Sequence, residues 1–340
     1  MRSSKNILFL ARLFIPHIGG VEKQVYELSL RLIKLGYSVT VLTERYDNNV
    51  PQEEIIKGIK IIRINVLNIK YFGLIHLWFS LFKYIKIFQE ANIVHAHSVY
   101  IWYWPFKLLF LKKPSYVTFH GWEGIYPIPK INIFIRRIDA FLANKNITIS
   151  DYVEKHYGIV ADKLMYTSVD IPKEKILRKS TKTIVYVGRL DEDTGLRKIL
   201  KAISYLKKYK FQIEFCGDGS LKEECEKYGK VNGFVDPSQY YSKAFICISA
   251  GHTSILEAFT YKCLIVTTFN NQVKKDYLLM TPFKKWIIVE NKPKILADKI
   301  IYYYKNPQKA RILTEGAYKW VKTQNWNACV NEYLDLWQVE

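Results

Sequence analysis

The stretch Phe245-Ile246-Cys247-Ile248-Ser249-Ala250-Gly251-His252-Thr253-Ser254-Ile255-Leu256-Glu257 sets the architecture. A short apolar run ends in small residues, and a helical pattern begins at once. A buried strand that passes through a small-residue loop into a helix is the repeating unit of a parallel sheet covered on both faces. The loop also carries chemistry. Backbone N–H groups at a helix N-terminus, with the hydroxyls of Thr253 and Ser254, can cradle a phosphate. Glu257 sits one turn into the helix. A carboxylate beside a phosphate suits the hydroxyl pair of a ribose, and favourable pairing with the helix dipole is its plain structural alternative.

The same alternation extends in both directions. Strands are expected at Thr183–Val187, Gln212–Cys216, Leu264–Thr268 and Trp286–Val289, with helices near Arg197–Lys208, Leu221–Lys227, Ser254–Tyr261 and Pro293–Lys305. Helical stretches at Gln308–Lys322 and Trp326–Trp337 close the chain. In the first half, strands are expected at Asn6–Ala11, Ser38–Thr43, Ile59–Ile64, Ile93–Ala96, Tyr116–His120 and Asn146–Ser150, with helices at Val21–Leu35, Leu74–Gln89 and Ser98–Leu111. Pro172 and the polar run Lys173–Lys182 interrupt the pattern and read as a linker. The expectation is an α/β protein of two doubly wound, Rossmann-like domains facing a crevice at the carboxyl ends of their strands. The domains are 1–170 and 183–323, the linker is 171–182, and 324–340 is a C-terminal helix returning to the N-terminal domain.

Composition narrows the function. The chain has 340 residues, 49% hydrophobic and 24% charged, enough for two packed cores. A net charge of +20 suggests a polyanionic partner, either nucleic acid or an anionic membrane. Five cysteines with no CxxC pair read as reduced, buried thiols of a cytosolic protein, without a disulfide framework or a zinc site. Met1–Asn6 is polar and Arg12 breaks the apolar run Ile7–Leu10, so no signal peptide is expected. The longest uncharged apolar stretch, Tyr71–Phe82, is 12 residues, short of the ~20 needed to cross a bilayer. No HExxH or nucleophile elbow is present, which removes zinc proteases and serine hydrolases. No nucleic-acid-binding motif is present either.

Several turns at expected strand ends suit a diphosphate ligand. Ile18-Gly19-Gly20-Val21-Glu22-Lys23 opens the first helix and lets backbone approach a ligand, or is simply a tight turn. Val187-Gly188-Arg189-Leu190 ends a strand, so Arg189 can offer a bidentate fork to a diphosphate, or pair with the acidic run Asp191-Glu192-Asp193. Cys216-Gly217-Asp218-Gly219 is a further glycine turn.

In their order and spacing, Gly19-Gly20-Val21-Glu22-Lys23, Thr118-Phe119-His120-Gly121, Ile149-Ser150, Ser168-Val169-Asp170, Val187-Gly188-Arg189-Leu190, Gly217-Asp218-Gly219, Asn232-Gly233-Phe234-Val235 and Leu256-Glu257-Ala258 resemble the GT-B glycosyltransferases, most of all glycosyltransferase family 4. The resemblance covers nearly the whole chain. It implies transfer of a hexose from a UDP-, GDP- or ADP-sugar to an acceptor hydroxyl, with retention and without a metal or other cofactor. His120 would contact the donor sugar, and Arg189 would neutralise the leaving diphosphate. Gly217 would line the donor site, Gly233 and Phe234 would lie along the base, Gly251, His252, Thr253 and Ser254 would bind phosphate, and Glu257 would hold the ribose. Gly19 and Gly20 would face donor or acceptor, with His17, Glu22 and Lys23 on the acceptor side.

Three positions depart from the family. Ser249 stands where a first Glu is usual, Thr194-Gly195 replaces Lys-Gly, and Thr167-Ser168-Val169-Asp170 replaces Asn-Gly-Val-Asp. Arg197 or Lys198, one turn on, is the expected substitute for the absent lysine, and Lys198 joins His120 and Arg189 in the expected catalytic set. Glycine-rich loops with a single Glu also resemble GT-B enzymes that invert. A catalytically idle nucleotide-sugar or membrane-binding module, and a nucleotide-sugar epimerase, are the alternative readings. Asp191-Glu192-Asp193 matches a metal-binding Asp-x-Asp string but reads as a solvated turn. His95 and His97 read as crevice-wall or core residues.

The charge is uneven. Residues 57–150 hold 13 Lys+Arg against 3 Asp+Glu. They also hold Tyr71-Phe72, Trp78-Phe79, Phe82-Lys83-Tyr84, Trp102-Tyr103-Trp104, Lys112-Lys113 and Arg136-Arg137. Cations mixed with aromatic rings suit an anionic membrane interface. Packing of Trp78, Phe79 and Phe82 against the sheet is the alternative. The expected partners are a nucleotide sugar, a glycan or lipid-linked acceptor and the inner face of a membrane in the cytoplasm, with no nucleic acid.

Overall fold

A computed structural model describes residues 5–67, 72–172 and 180–338. In chain order the elements begin with β1 (Asn6–Ala11), α1 (Gly20–Lys34), β2 (Ser38–Glu44), β3 (Glu53–Ile56), β4 (Ile59–Ile64), α2 (Gly73–Phe82), α3 (Ile85–Glu90), β5 (Ile93–His97), α4 (Trp104–Leu109), β6 (Ser115–Phe119), α5 (Lys130–Leu142), β7 (Lys145–Thr148), α6 (Tyr152–Tyr157) and β8 (Lys163–Leu164). They continue with β9 (Ser180–Val187), α7 (Leu196–Ser204), β10 (Gln212–Cys216), α8 (Lys222–Glu226), β11 (Lys230–Val231), α9 (Ser238–Lys243), β12 (Ala244–Ser249), α10 (His252–Thr260), β13 (Leu264–Thr267), α11 (Gln272–Leu279), β14 (Ile287–Val289), α12 (Pro293–Lys305), α13 (Pro307–Val321) and α14 (Trp326–Trp337).

The chain forms two compact units, Met1–Tyr166 with Trp326–Glu340, and Thr167–Asn325. The expected change of domain at 170 therefore falls after Tyr166. Val169 explains this: it pairs with Asn325, and its N–H donates to Gln324 O at 3.0 Å. Of the expected linker, residues 173–179 lie outside the described residues, and Ser180–Lys182 already belong to β9.

The first unit is built on a sheet of order β3-β4-β2-β1-β5-β6-β7-β8, parallel except for the β3–β4 pair. Its middle strands β1, β5 and β6 are buried almost throughout, as strands covered on both faces must be. Val25, Leu28 and Leu32 bury one stripe of α1. The helix α14 belongs to this unit. Trp326, Cys329, Val330, Tyr333, Leu336 and Trp337 are buried at helical spacing, and Gln24 Nε2 donates to Cys329 Sγ at 3.4 Å. The second unit has the order β11-β10-β9-β12-β13-β14, all parallel. All five cysteines are buried thiols, none in a disulfide.

Some expected elements differ. The helix expected over Leu74–Gln89 is two, α2 and α3, broken at Lys83–Tyr84. The break lets Phe82 and Phe88 both reach the Phe106 ring, with centroids 4.9 and 4.0 Å away. The helix expected over Ser98–Leu111 is a 3-10 turn at Tyr100–Tyr103 followed by α4, with Pro105 in the first turn, where its missing N–H costs nothing. The helices α5, α6, α9 and α11 and the short strands β3, β8 and β11 were not expected.

The omission of α5 has a clear cause, because its polarity is reversed. Arg136 and Asp139 face inward and are buried, while Ile131, Phe134 and Phe141 are exposed, Phe141 at 85%. Asp139 accepts from Trp104 Nε1 at 2.7 Å, and burial raises its pKa from 3.8 to about 7. Between these values the unfolded chain ionises the carboxyl and the folded chain keeps its proton. Stability therefore falls as pH rises from about 4 to 7, by about 1.4 kcal/mol per pH unit and roughly 4 kcal/mol in all. The Asp139→Asn variant retains an oxygen acceptor for Trp104 and cannot ionise. Urea unfolding should place it near wild type at pH 4 and well above it at pH 8; a difference that stays constant with pH would refute this account.

Candidate functional site

In the first unit, the turn before α1 brings three expected residues together. His17 Nδ1 lies 2.7 Å from Glu22 Oε1, and the imidazole meets Tyr46 edge-on at 5.3 Å. The Glu22 carboxylate folds back over Gly19, so a Cβ there would sit 2.2 Å from Glu22 Oε2. A side chain at 19 would make the Glu22 carboxylate move off this turn. Lys23 starts the helix, its N–H donating to Gly19 O at 3.0 Å, and its side chain is exposed.

The strands β5 and β6 run side by side, with His97 opposite Thr118, and His120 follows the end of β6. His97 Nδ1 and His120 Nε2 are 2.8 Å apart. His95 Nε2 lies 2.7 Å from Thr118 Oγ1, and Trp337 Nε1 donates to His95 Nδ1 at 3.0 Å. The three imidazoles stack in sequence, with centroids 5.0 Å apart at each step. His95 and His97 are fully enclosed and belong to the core, whereas His120 is half-buried. Burial pushes His95 and His97 well below the usual imidazole range and His120 down to about 3, with the Arg136 charge also disfavouring protonation of His120. All three are neutral at physiological pH. Arg136, which the sequence reading assigned to a basic surface, instead anchors the loop after His120. It donates to Gly121 O at 2.6 Å and pairs with Glu123 at 2.8 Å.

In the second unit, adjacent parallel strands bring the Arg189 loop, the Gly217–Gly219 turn and the start of α10 to one sheet edge. Leu190 N–H donates to Asp218 O at 2.9 Å and Gly188 N–H to Cys216 O at 3.1 Å. A Cβ on Gly217 would lie 2.0 Å from Gly188 O. This packing of two loops is sufficient reason for glycine at 217. Arg189 reaches Asp191 at 3.0 Å and Asp193 at 2.5 Å, the acidic-run pairing that the sequence reading weighed. Those carboxylates hold its pKa above the ordinary guanidinium value.

Thr194 is buried, its hydroxyl donating to Asp191 O at 2.6 Å, so a lysine is not simply missing from a solvent-facing position. Of its expected substitutes, Arg197 is paired with Glu192 and Glu224, and Lys198 donates to Phe269 O at 2.8 Å.

At the start of α10, His252 N–H donates to Tyr277 Oη at 3.1 Å. The His252 ring is buried, stacked on Tyr277 at 3.9 Å, with Nε2 2.8 Å from Tyr277 O. The Ser254 hydroxyl is tied to Ser249 and Gly251 O. Thr253 keeps a hydroxyl without a partner among the described residues. Glu257 lies 3.4 Å from Tyr241 Oη. Phe234, beyond Gly233, is 58% exposed.

Lys274 receives no role in the sequence analysis. It is buried in the first turn of α11, where its ammonium donates to Ala250 O and sits 4.6 Å over the Tyr277 ring. Burial lowers its pKa from 10.5 to about 8, with Asp193 opposing and Arg189 adding to the fall. No sequence signal marks this, because burial comes from two strand-to-helix turns meeting. Between pH 8 and 10.5 the unfolded chain holds the proton and the folded chain does not, so stability is gained as pH rises through that window. Relative to the Lys274→Met variant, wild type should gain up to about 3 kcal/mol from pH 8 to 10.5 at ~1.4 kcal/mol per pH unit. Chemical denaturation of both proteins checks it, and parallel pH profiles would overturn it.

Comparison with known proteins bears on the family and the fold. Residues 18–168 match the model of glycosyltransferase family 4, and residues 169–320 match that of glycosyl transferases group 1. The GPI3 subunit of phosphatidylinositol N-acetylglucosaminyltransferase from Saccharomyces cerevisiae is 33% identical over 96 residues, which is 27% of this chain and 21% of that protein. The chain thus spans about a fifth of the length of this curated relative. Sucrose-phosphate synthase from Thermosynechococcus elongatus superposes with a TM-score of 0.76 at 16% identity, covering 98% of each chain. HepE of Anabaena, in complex with UDP and glucose, gives 0.71 at 15% identity, covering 97% of this chain and 98% of its own. With two family models together spanning residues 18–320 and this fold, the chain belongs to the GT-B glycosyltransferases, with a family 4 N-terminal half and a group 1 second half.

Proposed function

We propose that this protein moves a hexose from a UDP-, GDP- or ADP-sugar to the hydroxyl of a lipid-linked acceptor, with retention and without a metal, at the cytoplasmic face of a membrane. The observation that carries the donor half is the meeting of Arg189, the Gly217–Gly219 turn and the N-terminus of α10 at one sheet edge. Transfer requires stabilising the charge that grows on the leaving diphosphate, and preorganised guanidinium and N–H donors supply that. On donor binding, Arg189 would exchange Asp191 and Asp193 for phosphate oxygens. Thr253 and Ser254 would hold phosphate, Glu257 the ribose and Phe234 the base, with Lys198 and Lys274 adding positive charge. The first unit would provide the acceptor side, with His120 on the donor sugar and His17, Glu22 and Lys23 towards the acceptor.

The lipid half rests on helices turned inside out. Besides α5, α4 buries Lys107, which donates to Asn144 Oδ1 at 3.3 Å, and exposes Leu108 and Leu109. On α2, Phe79 is 70% exposed. Phe82 against Phe106 and Trp104 against Asp139 make these three helices neighbours. Apolar side chains presented to solvent beside lysines fit an anionic bilayer interface. The name of the yeast relative, which contains phosphatidylinositol, supports a lipid acceptor. Trp102 and Tyr103, by contrast, are core residues, and Lys113 is held by Gln89 O at 2.9 Å, so they are not part of this surface.

Two measurements test the proposal. Thermal-shift assays with UDP-, GDP- and ADP-sugars, N-acetylglucosamine conjugates included, should raise Tm for one base, and Arg189→Ala should cut transfer by roughly a hundredfold at unchanged Tm. Wild-type rates in that variant would refute the role of Arg189, and epimerised free nucleotide sugar formed without acceptor would favour an epimerase. Sedimentation with phosphatidylserine-containing vesicles should fall at least tenfold in Phe79→Ser/Leu108→Ser/Phe134→Ser. Unchanged sedimentation would remove the membrane surface from the proposal.

A further inference from the structure

We propose that His97 is a positioning residue that fixes His120 as the neutral Nδ1–H tautomer, so that His120 presents a hydrogen-bond donor rather than a general base. The inference starts at the far end of the histidine stack. An indole N–H can only donate, so His95 Nδ1, which receives Trp337 Nε1–H at 3.0 Å, carries no proton. His95 therefore carries its proton on Nε2, aimed at Thr118 Oγ1 2.7 Å away. Both of its nitrogens are satisfied.

One proton must lie between His97 Nδ1 and His120 Nε2, 2.8 Å apart. The other nitrogen of His97, Nε2, is buried with no hydrogen-bond partner among the described residues. If His120 donated, the proton of neutral His97 would sit on that Nε2, an orphaned N–H in the core. If His97 donates, Nε2 is only an unpaired acceptor. Orphaned buried N–H groups are the rarer and costlier case, so the proton belongs on His97 Nδ1. His120 Nε2 then accepts, and the proton of neutral His120 resides on Nδ1. That nitrogen has no partner among the described residues. The Phe9 ring at 5.2 Å, edge-on, and Tyr333 at 6.4 Å pack against His97. The depressed pKa of all three rings is consistent with a stack that carries no positive charge.

The consequence for chemistry rests on the glycosyltransferase reading above. A neutral N–H suits an oxygen of the donor sugar or leaving group that gains negative charge in the transition state.

The test separates the tautomer from the activity. Long-range proton–nitrogen NMR correlations of the histidine rings, recorded on the full chain without substrate from pH 5 to 8, should show His120 protonated at Nδ1 and bare at Nε2 throughout. His97→Asn places an amide N–H near the Nδ1 position and should preserve that pattern. His97→Phe removes the donor and should move the His120 proton towards Nε2. In transfer assays His97→Phe should lose at least tenfold in kcat with little change in the donor KM, and His97→Asn should stay within about threefold of wild type. A wild-type His120 that is protonated at Nε2, or that titrates near pH 6, overturns the proposal. So does a His97→Phe spectrum identical to wild type with the fold intact. The expected spectra with full activity in His97→Phe would overturn only the donor role. Absence of transfer by wild type would refute the glycosyltransferase reading while the spectra still decide the tautomer.

Discussion

The parallel ladder of β9 with β10 on one side and β12 on the other is the constraint on which the second unit depends. Parallel strands leave a sheet in the same direction, so the chain after Val187, Cys216 and Ser249 must emerge at one edge. There the backbone either pairs with a neighbouring loop or remains open to a ligand. The first course requires the glycine at 217, where a side chain would run into Gly188 O of the neighbouring turn. The second leaves the Thr253 hydroxyl at the start of α10 without a partner among the described residues, at the same edge as the Arg189 loop. Arg189 is held there by the carboxylates of Asp191 and Asp193 from its own loop.

In the first unit the organising problem is different: several charges are inside. Arg136 ties down the loop that follows His120, and Asp139 ties α5 to Trp104. Each of these buried ionisable groups has a hydrogen-bond partner, which burial demands. The cost is transferred to the surface, because a helix that turns its polar face inward must show its apolar face to something. The same geometry that secures the His120 loop therefore creates the exposed leucines and phenylalanines of α4 and α5. The histidine stack extends this connection to α14, since Trp337 and Tyr333 cover it from the far end of the sequence.

Strands such as Asn6–Ala11, Ile59–Ile64 and Gln212–Cys216, and helices such as Pro293–Lys305 and Trp326–Trp337, were legible because their apolar periodicity matches one face or two. The α5 helix was not, because buried Arg136 and Asp139 place charge where the pattern requires apolar residues. The site was legible in the same partial way. Turns announced by glycine at strand ends could be found, and His17 with Glu22 stood near each other in the chain. Lys274 and the His97–His120 contact could not be found, since each joins side chains from separate strand-to-helix turns.

The sequence by itself determined the two-sheet α/β architecture, the family and the short loops that carry candidate chemistry, because periodicity, glycine placement and motif order are local properties of the chain. Only the tertiary structure decided the states of the side chains: which arginine is held by acids, which lysine is buried, which imidazole receives a proton and which helix shows its apolar face. Those states follow from desolvation and hydrogen-bond satisfaction, which depend on what surrounds a group after folding rather than on what precedes it in sequence.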